Sequence, residues 1–307
     1  MKKIRIACGV CTGILALSAC KGRDPAVDRT KSVPRSEGMI SPRSNRDTVK
    51  ITAATYPVAW LGCEVVGPPC QPTSLVPPGA SAHSWEPRPS DLQRLNRASV
   101  FVQAGLAFEA SWVPRFRASV PDLEIVDARG ALDLADSDRE HGHATEENDP
   151  HVWSSPRAMD RLSDTLAARL VLSRPELRGR VAAHLPGVHL KLLNLDSAVR
   201  RLLAPFTGRT FLVNHPGLGY LARDYGLTQK PLEANGQGLT PVLLWEVRKT
   251  AKAQGIRAVF VQTENSRRIA DQIAKELGVG TVDVDLLAIA PYDSLYLSVI
   301  RRMAEKL

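Results

Sequence analysis

Val188-His189-Leu190-Lys191-Leu192-Leu193-Asn194-Leu195-Asp196-Ser197-Ala198-Val199-Arg200-Arg201-Leu202 decides the architecture. Val188, Leu192, Leu195, Val199 and Leu202 recur at spacings of four, three, four and three, which is one apolar stripe on an α-helix. Arg157 to Leu172 has the same pattern, so a helical link lies in the middle of the 307 residues. A helix of about thirty residues rises about 45 Å, long enough to brace two lobes. Pro186-Gly187 interrupts the stripe. Proline removes a helix hydrogen bond at a cost of roughly 3 kcal/mol in a straight helix, so a kink or break is expected there.

Outward from this link, short β-rich runs alternate with helical stretches. Val49–Thr55, Pro72–Val76, Ala98–Ala104 and Glu124–Asp127 read as strands before it; Thr210–Asn214, Arg257–Gln262 and Gly280–Asp285 read as strands after it. Thr240-Pro241 looks like a helix start with Gly255 just past its end, and Gly278 closes another helix. The expected fold is α/β, with two lobes that each hold a mainly parallel sheet flanked by helices, joined by a long kinked helix. The expected division is 49–156 for the N-terminal lobe, 157–205 for the linking helices and 206–307 for the C-terminal lobe. No internal repeat is visible in the sequence.

The first fifty residues are different. Lys2, Lys3 and Arg5 precede a mostly apolar stretch, Ile6 to Leu17, and then the small residues Ser18 and Ala19 before Cys20. This is a secretory leader over 1–20. Leu17-Ser18-Ala19-Cys20 resembles a bacterial lipobox, which implies that Cys20 is lipidated and begins the mature chain. Residues 21–48 lack apolar periodicity and read as a disordered basic tether. The net charge of +8 is concentrated here: residues 1–50 hold 11 basic and 4 acidic side chains, the rest 29 and 28. A nearly neutral folded part argues against nucleic acid as a partner.

Removal of the leader takes Cys8 and Cys11 with it, and Cys20 is modified, so Cys63 and Cys70 remain. Outside the cytoplasm they are expected to pair. Two free thiols are the alternative; a zinc site there lacks further thiolates or a nearby histidine pair.

Seven histidines carry the chemical signal. His83 lies in a loop after a predicted strand, His215 follows Asn214 directly, and Asp285 ends the last predicted strand. In open parallel sheets ligands gather beyond the carboxyl ends of the strands, so these residues can share one point in space. His151, in Asp149-Pro150-His151-Val152-Trp153, precedes the linking helix. Three neutral imidazoles and a carboxylate make a filled zinc shell, suited to capture rather than catalysis. Against this, a lone histidine is usually a surface or satisfied core residue, the expectation for His184 and His189. Asp133 to Asp149 holds seven carboxylates and the pair His141 and His143, a cation-attracting tract whose plain alternative is a solvated turn.

Together these segments resemble the solute-binding proteins of bacterial zinc and manganese ABC importers. Ser74-Leu75-Val76-Pro77-Pro78-Gly79 with His83 and Glu86-Pro87 is similar to the family's first metal loop, and Asp149 to Trp153 to its second. Asn214-His215 with Gly219-Tyr220 and Tyr225-Gly226-Leu227 is similar to the third, and Val284-Asp285-Leu286-Leu287 to the fourth. The resemblance implies His83, His151, His215 and Asp285 as ligands. It also implies delivery of the ion to importer membrane subunits by a monomeric, lipid-anchored, extracytoplasmic receptor that is not an enzyme. Histidine at 215 favours Zn2+ over Mn2+, which prefers oxygen. Leu286 stands where the fourth motif usually has proline, so Glu86 is an alternative to Asp285. His141 and His143 sit where zinc members carry a longer His-rich loop and are accessory candidates.

Two rival classes follow from the same residues. A zinc hydrolase needs an open coordination position and a base, and no His-Glu-x-x-His stretch is present. A tethered two-lobe surface protein can also act as an adhesin.

Overall fold

Val100-Phe101-Val102-Gln103 and Ala258-Val259-Phe260-Val261-Gln262 are buried at every position, as strands covered on both faces must be. They lie inside two four-stranded sheets. The structure, a computed structural model, describes residues 48–129, 149–232 and 240–307, which fall in one compact unit, Ser44–Leu307. The leader with Cys20, the tether, and the acidic tract with His141 and His143 lie outside the described residues.

The first sheet contains β1 (Val49–Ala53), β2 (Cys70–Ser74), β3 (Val100–Gln103) and β4 (Glu124–Asp127), in the order β2-β1-β3-β4. The second contains β5 (Thr210–Val213), β6 (Thr228–Pro231), β7 (Ala258–Gln262) and β8 (Gly280–Val284), in the order β6-β5-β7-β8. Every pairing is parallel. The two halves therefore repeat one topology although the sequence shows no repeat. The crossovers are α1 (Tyr56–Val66), α2 (Pro89–Leu95) and α3 (Ala107–Ser119) in the first lobe, and α6 (Gly219–Asp224), α7 (Pro241–Gln254) and α8 (Arg268–Leu277) in the second. The link is α4 (Pro156–Ser173) and α5 (Arg178–Leu203), and α9 (Tyr292–Ala304) ends the chain. Gly255 and Gly278, with φ of 61° and 69°, end α7 and α8 in the left-handed region where glycine bears no Cβ penalty.

The reading misses β6. Its Thr-Gln-Lys-Pro stretch is half-buried throughout, and as the sheet's edge it pairs with β5 alone, so it needs neither apolar alternation nor the amide that proline lacks. β2, the matching edge of the first sheet, begins and ends two residues earlier than the expected Pro72–Val76.

Pro186-Gly187 does not break the link: α5 runs without interruption from Arg178 to Leu203, about 39 Å at 1.5 Å per residue. Ala182, whose carbonyl loses its partner at Pro186, is exposed, as are Pro186 and Gly187. Water can satisfy that carbonyl, so the helix continues. Its inner face buries Val181, Val188, Leu192, Leu195, Val199 and Leu203 against α4, α1 and α9, and so touches helices of both lobes. His189 bridges α5 to α4, with Nδ1 2.6 Å from Asp160 and Nε2 3.2 Å from Asp164. Among the described residues no helix is long and apolar enough to cross a membrane.

Cys63 at the end of α1 is bonded to Cys70 at the start of β2. Closing so short a loop restricts the unfolded chain by about 2.5 kcal/mol in the chain-entropy view. A variant with both Cys63→Ser and Cys70→Ser is expected to lose about that much in urea unfolding; an unchanged midpoint would show that the bridge does not stabilise the lobe.

Candidate metal centre

His83 is set by the turn that follows β2. Val76 N–H donates to the Ala54 carbonyl and Ala80 N–H to Pro77, and Trp85 N–H closes back on Ser81. Trp85 packs edge-on against Phe108 with ring centroids 5.1 Å apart, fixing the loop over the start of α3. The His83 ring is exposed on its outer side.

His151 is buried. Its Nδ1 lies 2.5 Å from Asp149 Oδ1, which also accepts the His151 backbone N–H at 2.9 Å. A carboxylate only accepts, so the proton is assigned to Nδ1 and the Nε2 lone pair faces the cleft. The segment around His151 is held by the C-terminal lobe. Tyr220 Oη donates to the Asp149 carbonyl at 2.8 Å, Tyr292 to Trp153 at 2.9 Å and Tyr296 to Ser154 at 2.7 Å. Ser155 Oγ donates to the buried Asp224 carboxylate.

His215 follows β5, whose carboxyl end is locked by Asn214. The Asn214 side chain accepts from Gln262 N–H at 2.8 Å and donates to the Gln262 carbonyl at 3.2 Å, tying the ends of β5 and β7. Gly217 lets the turn approach closely: a Cβ there would lie 2.4 Å from Gln262 Nε2 and 3.1 Å from the His151 ring, so the Gln262 amide would have to shift.

These three loops bring the imidazoles together. His83 Nε2 is 2.9 Å from His151 Nε2 and 3.0 Å from His215 Nε2, and the latter two are 3.3 Å apart. A tetrahedral ion with Zn–N bonds of 2.0–2.1 Å sets neighbouring nitrogens about 3.3 Å apart. Burial of its inner face, then the charges of His151 and His215, push His83 down to about 4 against the pull of Asp149. His83 is therefore neutral at physiological pH, as a metal ligand must be.

The other candidates lie elsewhere. Among the described residues the metal-holding group, with ligand atoms all within 4.8 Å of one another, contains His83, His151 and His215 and not Asp285 or Glu86. Asp285 is half-buried after β8, and its Oδ1 accepts the Leu287 N–H at 3.0 Å. Glu86 is exposed. Two residues escaped the sequence reading. Asp149 could have been found from Asp-Pro-His, because an aspartate often bonds the backbone two residues on. Glu264 follows β7, at a carboxyl strand end like the others. Burial, reinforced by Asp285, pushes Glu264 up to about 7 against its own backbone N–H and His151, and its Oε2 has no hydrogen-bond partner among the described residues.

The family described as ZnuA, zinc-uptake complex component A periplasmic, matches residues 51–307. The high-affinity zinc uptake system protein ZnuA of Bacillus subtilis is 26% identical over 253 residues, 78% of this chain and 78% of that protein. The zinc-binding protein AdcA of Streptococcus pyogenes serotype M3 is 26% identical over 75% of this chain; the chain spans about half of that relative, 49% of its length. A crystal structure of ZnuA superposes with a TM-score of 0.74 at 29% identity, over 85% of this chain and 99% of that one. A 138–173 deletion mutant of ZnuA with zinc bound gives 0.72 at 29% identity, over 85% and 98%. Because the match spans both sheets and the helices that link them, the chain belongs to the family of zinc-uptake complex component A periplasmic proteins.

Proposed function

We propose that this chain is an extracytoplasmic receptor that captures one Zn2+ ion on His83, His151 and His215 and hands it to the membrane subunits of an ABC importer. The observation that carries this reading is the set of three Nε2 atoms 2.9–3.3 Å apart, the spacing of a nitrogen-ligated tetrahedral ion. Three imidazole donors favour zinc over manganese. The fourth position is assigned to Asp285, whose loop would have to turn toward the triad. Anchoring through a lipidated Cys20 and action as a monomer belong to the same proposal. Capture and release, rather than hydrolysis, is supported by the family's role in zinc uptake and by the absence of a His-Glu-x-x-His stretch from the sequence.

Calorimetric titration of the mature chain with Zn2+ tests it: one tight site per chain is expected, with Mn2+ bound more weakly. No tight binding, or several equal weak sites, would overturn it. Asp149→Asn removes the acceptor that fixes His151, and outer partners of this kind contribute 10- to 100-fold to metal affinity. The variant is expected to bind zinc roughly 10- to 100-fold more weakly, measured by chelator competition.

A further inference from the structure

We propose that Ser81 and Asn265 form a latch across the cleft that sets how slowly the captured ion leaves. This inference rests on the receptor role proposed above. The ligands divide unequally between the lobes. His215 follows β5, and the His151 segment is bound to the C-terminal lobe through Tyr220, Tyr292, Tyr296 and Asp224, so these two imidazoles move as one jaw. His83 is the opposing jaw. Its loop is rooted in the N-terminal sheet, where Leu75 and Val76 N–H groups donate to Ala53 and Ala54 and Arg94 donates to the Leu75 carbonyl at 2.8 Å.

Ser81 stands where these two bodies meet. Its hydroxyl accepts the His83 backbone N–H at 3.4 Å and donates to Asn265 Oδ1 at 3.2 Å. Asn265 is itself fixed on the turn after β7, its N–H donating to the Gln262 carbonyl at 3.0 Å. One hydroxyl thus ties the His83 backbone to the C-terminal lobe. For the ion to escape, His83 must part from His151 and His215, and that movement stretches the Ser81–Asn265 bond. Residue 265 makes this a property of the loop after β7, since the three imidazoles that gather are His83, His151 and His215. Both are positioning residues acting through His83.

The test is zinc dissociation from the mature chain, followed by stopped-flow mixing with an excess of a chromophoric chelator. A single hydrogen bond of ordinary strength corresponds to roughly a threefold to tenfold change in rate. Ser81→Ala and Asn265→Ala are each expected to speed release by about that factor, and the double variant to release no faster than Ser81→Ala, which already removes the bond to Asn265 together with the one from His83 N–H. Ser81→Thr, which keeps the hydroxyl, should restore slow release. The melting temperature of the metal-free variants should fall by only about 2–4 °C, the effect of losing one ordinary hydrogen bond between half-buried side chains in a chain of this size. Release at the wild-type rate in either single variant, or rates that multiply in the double variant, would overturn the latch while leaving the receptor role intact. A wild-type chain that takes up no zinc would instead overturn the receptor role, and the latch with it.

Discussion

Replacing His83 by alanine is expected to weaken zinc binding by more than about 100-fold, because a ligand contributes more than the outer partners whose loss already costs 10- to 100-fold. His83 is the most discriminating of the three imidazoles to remove. His151 is buried and bonded to Asp149, so its loss would disturb packing as well as coordination. The outer side of His83 is exposed and its ring touches chiefly the two other imidazoles. An exposed substitution of this kind changes stability by about 0.5 kcal/mol or less. Affinity should therefore collapse while the metal-free melting temperature holds. The stabilisation that zinc confers by binding the folded state alone should vanish in parallel. Wild-type affinity in His83→Ala would remove this residue from the site.

Glu109→Ala is expected to destabilise the chain by about 3 to 5 kcal/mol, since each buried donor left without an acceptor costs about 1–3 kcal/mol. Glu109 is fully buried at the start of α3, and its Oε2 accepts the backbone N–H groups of Ala104 at 3.0 Å, Gly105 at 2.7 Å and Leu106 at 3.1 Å. Alanine strands all three. The knot lies next to Phe108, against which Trp85 of the His83 loop packs, so its loss should also loosen that loop. Burial pushes the Glu109 carboxyl from 4.5 up to about 7, although its three N–H partners oppose the shift. The folded-state value lies above the unfolded one, so this group's contribution is fully present below pH 4.5 and declines as the pH rises from 4.5 to about 7. Glu109→Gln cannot ionise and should lack that decline. Urea unfolding of wild type, Glu109→Ala and Glu109→Gln across this range measures both effects; equal midpoints for wild type and Glu109→Ala would contradict the role of the knot.

Central strands and the linking helix were legible because burial leaves an apolar mark: a continuous run at Val100 to Val102 and at Val259 to Val261, and a helical stripe from Val188 to Val199. β6, a half-buried edge reading Thr-Gln-Lys-Pro, leaves none, which hid it. At Pro186 the sequence gives the backbone penalty but not the direction its helix face takes; Ala182 and Pro186 face water, and the helix continues without a break. For the site, the rule that chemistry gathers beyond carboxyl strand ends located the loops of His83 and His215, and applied further would have reached Glu264. His151 obeys no such rule. It is brought in by phenols from α6 and α9 that lie 71 or more residues along the chain from their acceptors, a pairing no local pattern encodes.

A crystal structure of the zinc-loaded mature chain, with anomalous data collected on either side of the zinc edge, tests the central claim most directly. The expected result is one strong anomalous peak within about 2.1 Å of Nε2 of His83, His151 and His215. A zinc peak held by other residues, with the three imidazoles bearing no ion between them, would contradict it.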